Sequence, residues 1–377
     1  MHAAGNMISL KLIIEDPDIV QKINSHLSPQ IRVWGIERTI GSFSCYQACD
    51  SRWYEYLLPS HCLLPPHPSS WLARTLEDYA TEAGDKEGYD SRQAEVKDFW
   101  KEVEERDIEP FVKSLDEDIR GLVLKALYEE TDVNPDMEDK PQKGKMPEQE
   151  EASTESDNPE QNEPEAAPQI SDSSPSSNPN IDYSSLSLDQ KKRLDAAIKS
   201  LKAAYNAAKR AYRIPSERIS RLQDALTAYL GTRNFHNYTV LKSFRDASSK
   251  RQIKSFVVNP TPIHINGTEW LSLKVHGQSF MMHQIRKMVG MASLVVRCGA
   301  PISRIAESYE DVKFSIPKVP GLGLLLERPV FDSYNNLQAT KHNREVLDFK
   351  KFETELEAFK QREIYQRIFE EEARDNT

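Results

Sequence analysis

Several features that would each announce a protein class are scarce in this 377-residue chain. Its four cysteines, Cys45, Cys49, Cys62 and Cys298, form no C-x-x-C pair and no tandem zinc spacing. Neither a disulfide framework nor a zinc module is therefore expected. Cys45 and Cys49 stand one helical turn apart and read as small buried thiols of a reducing compartment. The nine histidines are scattered and enter no H-E-x-x-H or similar ligand set, so no metal site is expected. No apolar run approaches about 18 residues, which argues against a membrane-spanning helix and a membrane partner. The first twenty residues lack a basic stretch followed by an apolar core, so no secretory signal is expected.

Positive charge is scarce only on average. The formal net charge is −10, yet it is unevenly distributed. Residues 1–128 carry −8, residues 129–182 carry −13, residues 183–344 carry +15 and residues 345–377 carry −4. The third block holds 26 basic and 11 acidic side chains. An excess of that size is the electrostatic footprint of a polyanion partner rather than an ordinary solvated face.

In chain order, Met7–Ile14 alternates apolar and other residues and predicts a strand. Asp16, Pro17 and Asp18 predict a helix start, with Ile19, Val20, Ile23 and Leu27 as its apolar stripe. Strands are expected at Ile31–Thr39 and Ser51–Leu58. From Trp71 to Glu130 the pattern is helical and charged, with aromatic anchors at Trp71, Phe99, Trp100 and Phe111. Residues 131–182, rich in Pro, Ser, Glu, Gln and Asn, bury too little apolar surface to offset chain entropy and read as a disordered acidic linker.

Order resumes at Ser187-Leu188-Asp189-Gln190, which fits a capping box. The helix that follows puts Leu194, Ile198, Leu201, Tyr205, Ala208 and Tyr212 on one face. Lys191, Lys192, Arg193, Lys199, Lys202, Lys209, Arg210 and Arg213 lie elsewhere around it and are the candidates to bind that polyanion. A second helix follows a Ser216 cap, with strands at Arg251–Val258, Glu269–His276 and Pro320–Glu327, a short helix near Ile302–Tyr309, and a last amphipathic helix after Asn343. Mixed elements in separate blocks predict an α+β protein with two related halves. The expected divisions are 1–75 (N-terminal half), 76–130 (charged helical insert), 131–182 (linker), 183–344 (basic C-terminal half) and 345–377 (C-terminal helix).

Gln278–Gly299 reads as a helix apolar on most sides, stopped by Arg297 and Gly299. Arg286 lies between Met282 and Val289 on one of its stripes. A guanidinium there either snorkels to water along its methylenes or is held in a cleft to fix a carboxylate or phosphate.

Four segments resemble one family. They are His2–Leu12 (H-A-A-G-N-M-I-S-L-K-L), Ile31–Leu58 ending R-W-Y-E-Y-L-L, Gly231–Thr239 (G-T-R-N-F-H-N-Y-T), and Phe280–Gly290 with Pro320–Glu327. Together they resemble the TruA-type tRNA pseudouridine synthases, in their eukaryotic branch, over residues 1–75 and 183–345. The resemblance implies isomerisation of uridine to pseudouridine in tRNA, and in other RNAs as an extension, without metal or organic cofactor. It implies two α/β halves whose mixed sheets meet, with a central basic RNA-binding cleft. One aspartate attacks the nucleoside and breaks the N-glycosidic bond, and the uracil turns and rejoins through carbon 5. The base is first flipped out of its stack.

Matched by motif, Tyr54 is the tyrosine that stacks on the flipped base, with Tyr56 on the same strand face as the alternative. Arg286 is the arginine that pairs with the aspartate. Gly321, Leu322 and Leu324 form the pocket wall, and Phe235 and His236 the loop beside it. The family places its aspartate in R-T-D-K-G-V-H-A-A-G-N, and Met1 here stands where the valine would be. The nucleophile is thus expected three residues ahead of Met1, and the chain by itself is expected to be inactive. Either the sequence is a shortened version of a working synthase, or it is a non-catalytic RNA-binding protein. A monomer is expected. The resemblance points to the nucleus, with the mitochondrion as the alternative.

Overall fold

In the computed structural model of the protein, the described residues are 2–13, 16–129 and 186–375. The stretch 131–182, expected to be an acidic linker, lies outside them. The chain divides into two compact units. The first comprises Met1–His67, Thr75–Lys101 and Asn206–Thr377, and the second Pro68–Arg74 and Glu102–Tyr205.

The described elements are β1 (His2–Ala3), α1 (Ile19–His26), β2 (Ser51–Pro59), α2 (Trp71–Glu82), α3 (Lys86–Gln93), α4 (Phe99–Val103), α5 (Glu109–Ser114) and α6 (Glu117–Glu129). From residue 186 onward come α7 (Leu188–Ala211), α8 (Ser216–Thr227), β3 (Gly231–Asn234), β4 (Lys250–Val258), β5 (Ile263–Ile265), β6 (Thr268–Gly277), α9 (Gln284–Arg297) and α10 (Ser303–Glu307). The chain then forms β7 (Leu324–Val330), α11 (Glu353–Phe359) and α12 (Gln366–Asp375). None of the described helices is long and apolar enough to cross a membrane.

The strands form one seven-stranded mixed sheet in the order β1-β7-β2-β6-β4-β3, with β5 added beside β6. Only β1 and β7 run parallel among the described pairs. The sheet is covered on both faces, and the two-residue period of its strands sorts side chains between two cores. Tyr56, Leu58, Leu271, Leu273, Val275 and Leu324 join the core built with α8 and α9. Leu57, Trp270 and Leu325 join the opposite core, which Phe359, Tyr365, Ile368 and Phe369 close from the C-terminal segment. Each such side chain removed from water contributes about 1.5–3 kcal/mol before entropy is counted. In the second unit, Val103, Ile108, Val112, Ile119, Val123, Leu194 and Leu201 are buried.

Local signals were accurate where they specified their own hydrogen bonds. Ser187 and Gln190 make the reciprocal capping pair, with the Ser187 N–H donating to Gln190 Oε1 (3.0 Å) and the Gln190 N–H donating to Ser187 Oγ (3.2 Å). They were less accurate where a partner was needed. Residues 7–13 and 31–39 form no regular secondary structure, which corrects both expected strands. Alternation makes a strand only beside another strand, and β1 pairs with β7 through just two residues. Ile8 and Leu10 are accordingly exposed, while Trp34 packs edge-on against Phe359 at 5.4 Å.

Helix α1 starts two residues later than Pro17 suggested, because Asp16 Oδ1 accepts the Asp18 N–H at 3.0 Å and turns the chain first. The strand expected at Pro320–Glu327 is displaced to Leu324–Val330, behind a turn at Gly321–Gly323. The last amphipathic helix is broken into α11, a π-turn at Lys360–Tyr365, and α12.

Candidate active site

Strand β2 carries the two tyrosines at the centre of the sheet. Tyr54 pairs with Val275 on β6 and Leu326 on β7, and Tyr56 with Leu273 and Leu324. Their environments differ. Tyr56 is buried, and its hydroxyl donates to Pro320 O at 2.9 Å. Burial pushes that hydroxyl's pKa far up, against the opposing charge of Arg286. Tyr54 is half-buried and meets the Phe280 ring edge-on, at 5.3 Å and 83°. Of the two rings, Tyr54 is the one a planar ligand could reach, while Tyr56 fastens the strand to the turn.

Arg286 projects from the first turn of α9 toward that turn. Its Nε donates to Val319 O at 2.6 Å, and a Cβ built on Gly321 would lie 3.5 Å from its Nη1. The close approach depends on Gly290, where an added Cβ would stand 2.4 Å from Pro317 O. The residue just before α9, His283, holds φ 62°. A side chain rarely adopts that left-handed conformation without surrounding structure to enforce it. Part of that structure is visible nearby. Lys287 Nζ donates to Asn237 O (3.1 Å) and Thr239 O (3.2 Å), and Thr239 Oγ1 donates to Met282 O (3.0 Å). Burial, with Lys318 as a second cause, lowers the Lys287 pKa. These bonds fix the F-H-N-Y-T loop to the start of the helix that carries Arg286.

The remaining predicted residues are placed as follows. Leu324 is buried beneath Tyr56 in the α8–α9 core. Leu322 packs instead toward the opposite core, and with Tyr56 it lines a cavity of about 220 Å³ behind the Val319–Pro320 segment. Phe235 is fully buried among Tyr229, Tyr238 and Tyr309. His236 is half-buried and meets Phe244 edge-on at 5.4 Å.

The basic residues of α7 and of the segment just after it are divided between the two compact units, with Lys191, Lys192, Arg193, Lys199 and Lys202 in one and Lys209, Arg210 and Arg213 in the other. Arg193 is engaged by Asp116 and Asp118, and Arg210 lies 3.6 Å from Glu372. Arg213 donates to backbone carbonyls of Arg210, Tyr212 and Gly267. Lys192, Lys199 and Lys202 are exposed, and Lys191 and Lys209 partly so. Burial lowers the Lys209 pKa.

Sequence reasoning missed the reverse side of β2. Between Tyr54 and Tyr56, Glu55 points to the other face and is only 1% exposed. It accepts from the Ser272 hydroxyl, from the Tyr365 hydroxyl (2.6 Å) and from Lys360 Nζ (3.3 Å). Lys360 also reaches Glu327 (3.0 Å) and Glu357 (2.8 Å), and Lys274 joins Glu327 at 3.1 Å. A carboxylate in the middle of an otherwise apolar strand was the available signal, because such a charge needs a partner.

The family model for tRNA pseudouridine synthase matches residues 225–332, the stretch from the end of α8 through β7. Over its whole length the chain is 40% identical to tRNA pseudouridine synthase 1 of Eremothecium gossypii, covering 60% of that protein. It is 39% identical to tRNA pseudouridine synthase 1 of Schizosaccharomyces pombe, with 99% of this chain and 69% of the relative covered. It is 30% identical to tRNA pseudouridine(27/28) synthase of Saccharomyces cerevisiae, with 89% of this chain and 69% of the relative covered.

The chain belongs to the TruA-type tRNA pseudouridine synthase family. It spans little more than half the length of several of the tRNA pseudouridine synthase 1 relatives it matches.

Proposed function

We propose that the whole protein isomerises uridine to pseudouridine in tRNA, using Arg286 to hold a nucleophilic carboxylate and Tyr54 to stack on the flipped base. The carrying observation is the position of Arg286 at the Gly321–Gly323 turn. That turn precedes β7, the strand with which β1 runs parallel, His2 opposite Leu325. A chain entering β1 in the same parallel direction would run beside this turn, and three residues of extended chain reach about 10 Å. On that path an aspartate three positions ahead of Met1, as in the family motif, would come within range of the guanidinium.

A fixed, charged fork suits this task. It keeps the carboxylate ionised and orients it toward the sugar. The carboxylate attack at C1′ breaks the N-glycosidic bond and leaves the sugar esterified, Tyr54 retains the detached uracil, and carbon 5 bonds to C1′ as the carboxylate leaves. N1 gains a proton and carbon 5 loses one, so the product is an isomer and no oxidant or cofactor is consumed. Two related halves with a basic cleft, the cations of α7 as phosphate contacts, action as a monomer and a nuclear location belong to the same reading.

Tritium release from tRNA carrying 5-tritiated uridine tests it. The chain extended at its N-terminus by a segment supplying R-T-D-K-G should release tritium. The 377 residues alone should not. Arg286→Lys in the extended protein should slow release by about 100-fold, since a displaced reacting group costs that much. Pseudouridine formation by the 377-residue chain alone, or an unaffected Arg286→Lys variant, would overturn the assignment.

A further inference from the structure

Beside the tyrosine face lies a second opening that the site described above does not use. It encloses about 570 Å³ and is lined chiefly by polar and charged side chains, among them Arg52, Lys250, Arg251, Asp50, Gln278 and Ser279. Its walls are strand ends. Arg52 pairs with Gly277 across β2 and β6, Lys250 and Arg251 open β4, and the Gln278 N–H donates to Gln252 O at 3.1 Å. The cations are thus carried on hydrogen-bonded backbone rather than on a loose loop.

Their charges are uncompensated. Neither the Arg52 guanidinium nor the Lys250 ammonium has a hydrogen-bond or ion-pair partner among the described residues. Arg251 gives one Nη1 bond to Lys250 O (3.1 Å), and its Nε is buried without an acceptor. The single carboxylate of the lining is engaged elsewhere, with Asp50 Oδ2 accepting the Ser333 N–H at 2.8 Å. Three cations against one anion leave the opening positive, and Gln278 and Ser279 add neutral donors.

The opening adjoins the Tyr54 face. Arg52 precedes Tyr54 by two residues and so shares its side of β2. Its charge is felt at the Tyr54 hydroxyl, where burial raises the pKa and Arg52 opposes the rise. Ser279 adjoins Phe280, the ring that meets Tyr54. At the rim Tyr46 is 82% exposed. An exposed ring next to cations is the arrangement that accepts nucleobases without regard to sequence. A diester phosphate offers two free oxygens to a guanidinium fork, which matches Arg52 and Arg251 better than a lone carboxylate would.

We propose that this opening is a phosphodiester subsite, in which Arg52, Lys250 and Arg251 hold a backbone phosphate adjoining the nucleotide seated at Tyr54. The subsite rests on the RNA reading of that face and specifies where the strand runs.

Fluorescence anisotropy of the full 377-residue chain with tRNA, and with copies in which single phosphates around the target uridine are methylphosphonates, tests the proposal. Arg52→Gln/Lys250→Gln should bind tRNA about tenfold more weakly and lower the salt slope by about 2. Its thermal unfolding should match the parent, because neither side chain has a partner to lose. One methylphosphonate position should weaken the parent about tenfold and leave the variant unmoved. Unchanged tRNA affinity in the variant, or equal sensitivity of both proteins to every methylphosphonate, overturns the subsite while leaving RNA binding intact. Competition by millimolar inorganic phosphate in the parent, with no effect of the substitutions on tRNA, identifies a free-anion site and also overturns it. Failure of the parent to bind tRNA at any salt concentration removes the RNA reading itself.

Discussion

Replacing Lys360 by methionine should loosen the sheet from behind the tyrosines. Lys360 is 4% exposed and lies within 3.3 Å of the carboxylates of Glu55, Glu327 and Glu357. Methionine keeps most of the stem's packing and removes the charge. Glu55 would then keep only the Ser272 and Tyr365 hydroxyls, and Glu327 only Lys274. Breaking one side of a buried ion pair costs about 3–5 kcal/mol, mostly because the remaining charge stays buried. Those surviving donors put the expected loss near the lower end, about 3 kcal/mol. Urea unfolding followed by tryptophan fluorescence measures it, and Glu55→Gln/Lys360→Met should recover most of the loss. Since Glu55 sits between Tyr54 and Tyr56, the single variant should also expose β2 amides to faster hydrogen exchange than the double variant. A loss below about 1 kcal/mol, or a double variant weaker than the single one, would refute the reasoning.

The same network sets an acid limit. Burial alone would raise the Glu327 pKa, but Lys360 and Lys274 outweigh it and hold the carboxyl below its usual value of 4.5. Its contribution is therefore present above that value and lost as pH falls through the lower, folded one. Urea midpoints recorded from about pH 6 to about pH 3 should fall more steeply for the parent than for Glu327→Gln. Gly323→Ala should cost about 1–3 kcal/mol, because the new Cβ would stand 2.5 Å from Leu57 O and 3.2 Å from the Tyr56 ring. Gly121→Ala, on α6 with nothing within 4 Å of the added Cβ, should instead stabilise by about 0.5–1 kcal/mol. Thermal melts of the pair check both signs.

What the sequence determined by itself was the set of local devices and the one charge that needed an explanation. The capping pair of Ser187 and Gln190 and the stop of α9 at Arg297 and Gly299 depend on neighbours within a few residues, so their spacing specifies them. Arg286 was legible because a guanidinium on an apolar stripe costs free energy unless something holds it. Only the tertiary structure decided what holds it. The Val319 carbonyl, reached because Gly290 lets the chain come close, lies thirty-three residues away.

The strands expected at Met7–Ile14 and Ile31–Thr39 show the same division from the other side. Alternation marks a segment able to pair, and pairing is a property of two segments together. Tyr54 and Tyr56 are indistinguishable by period, and the Pro320 carbonyl and the Phe280 ring separate them. Leu322 and Leu324 share a motif yet face opposite cores, because the turn at Gly321–Gly323 ends before β7 begins. Glu55 and Lys360, 305 residues apart, meet only when the C-terminal segment closes on the sheet. A one-dimensional pattern records that a buried charge needs a partner, and the fold alone supplies which one.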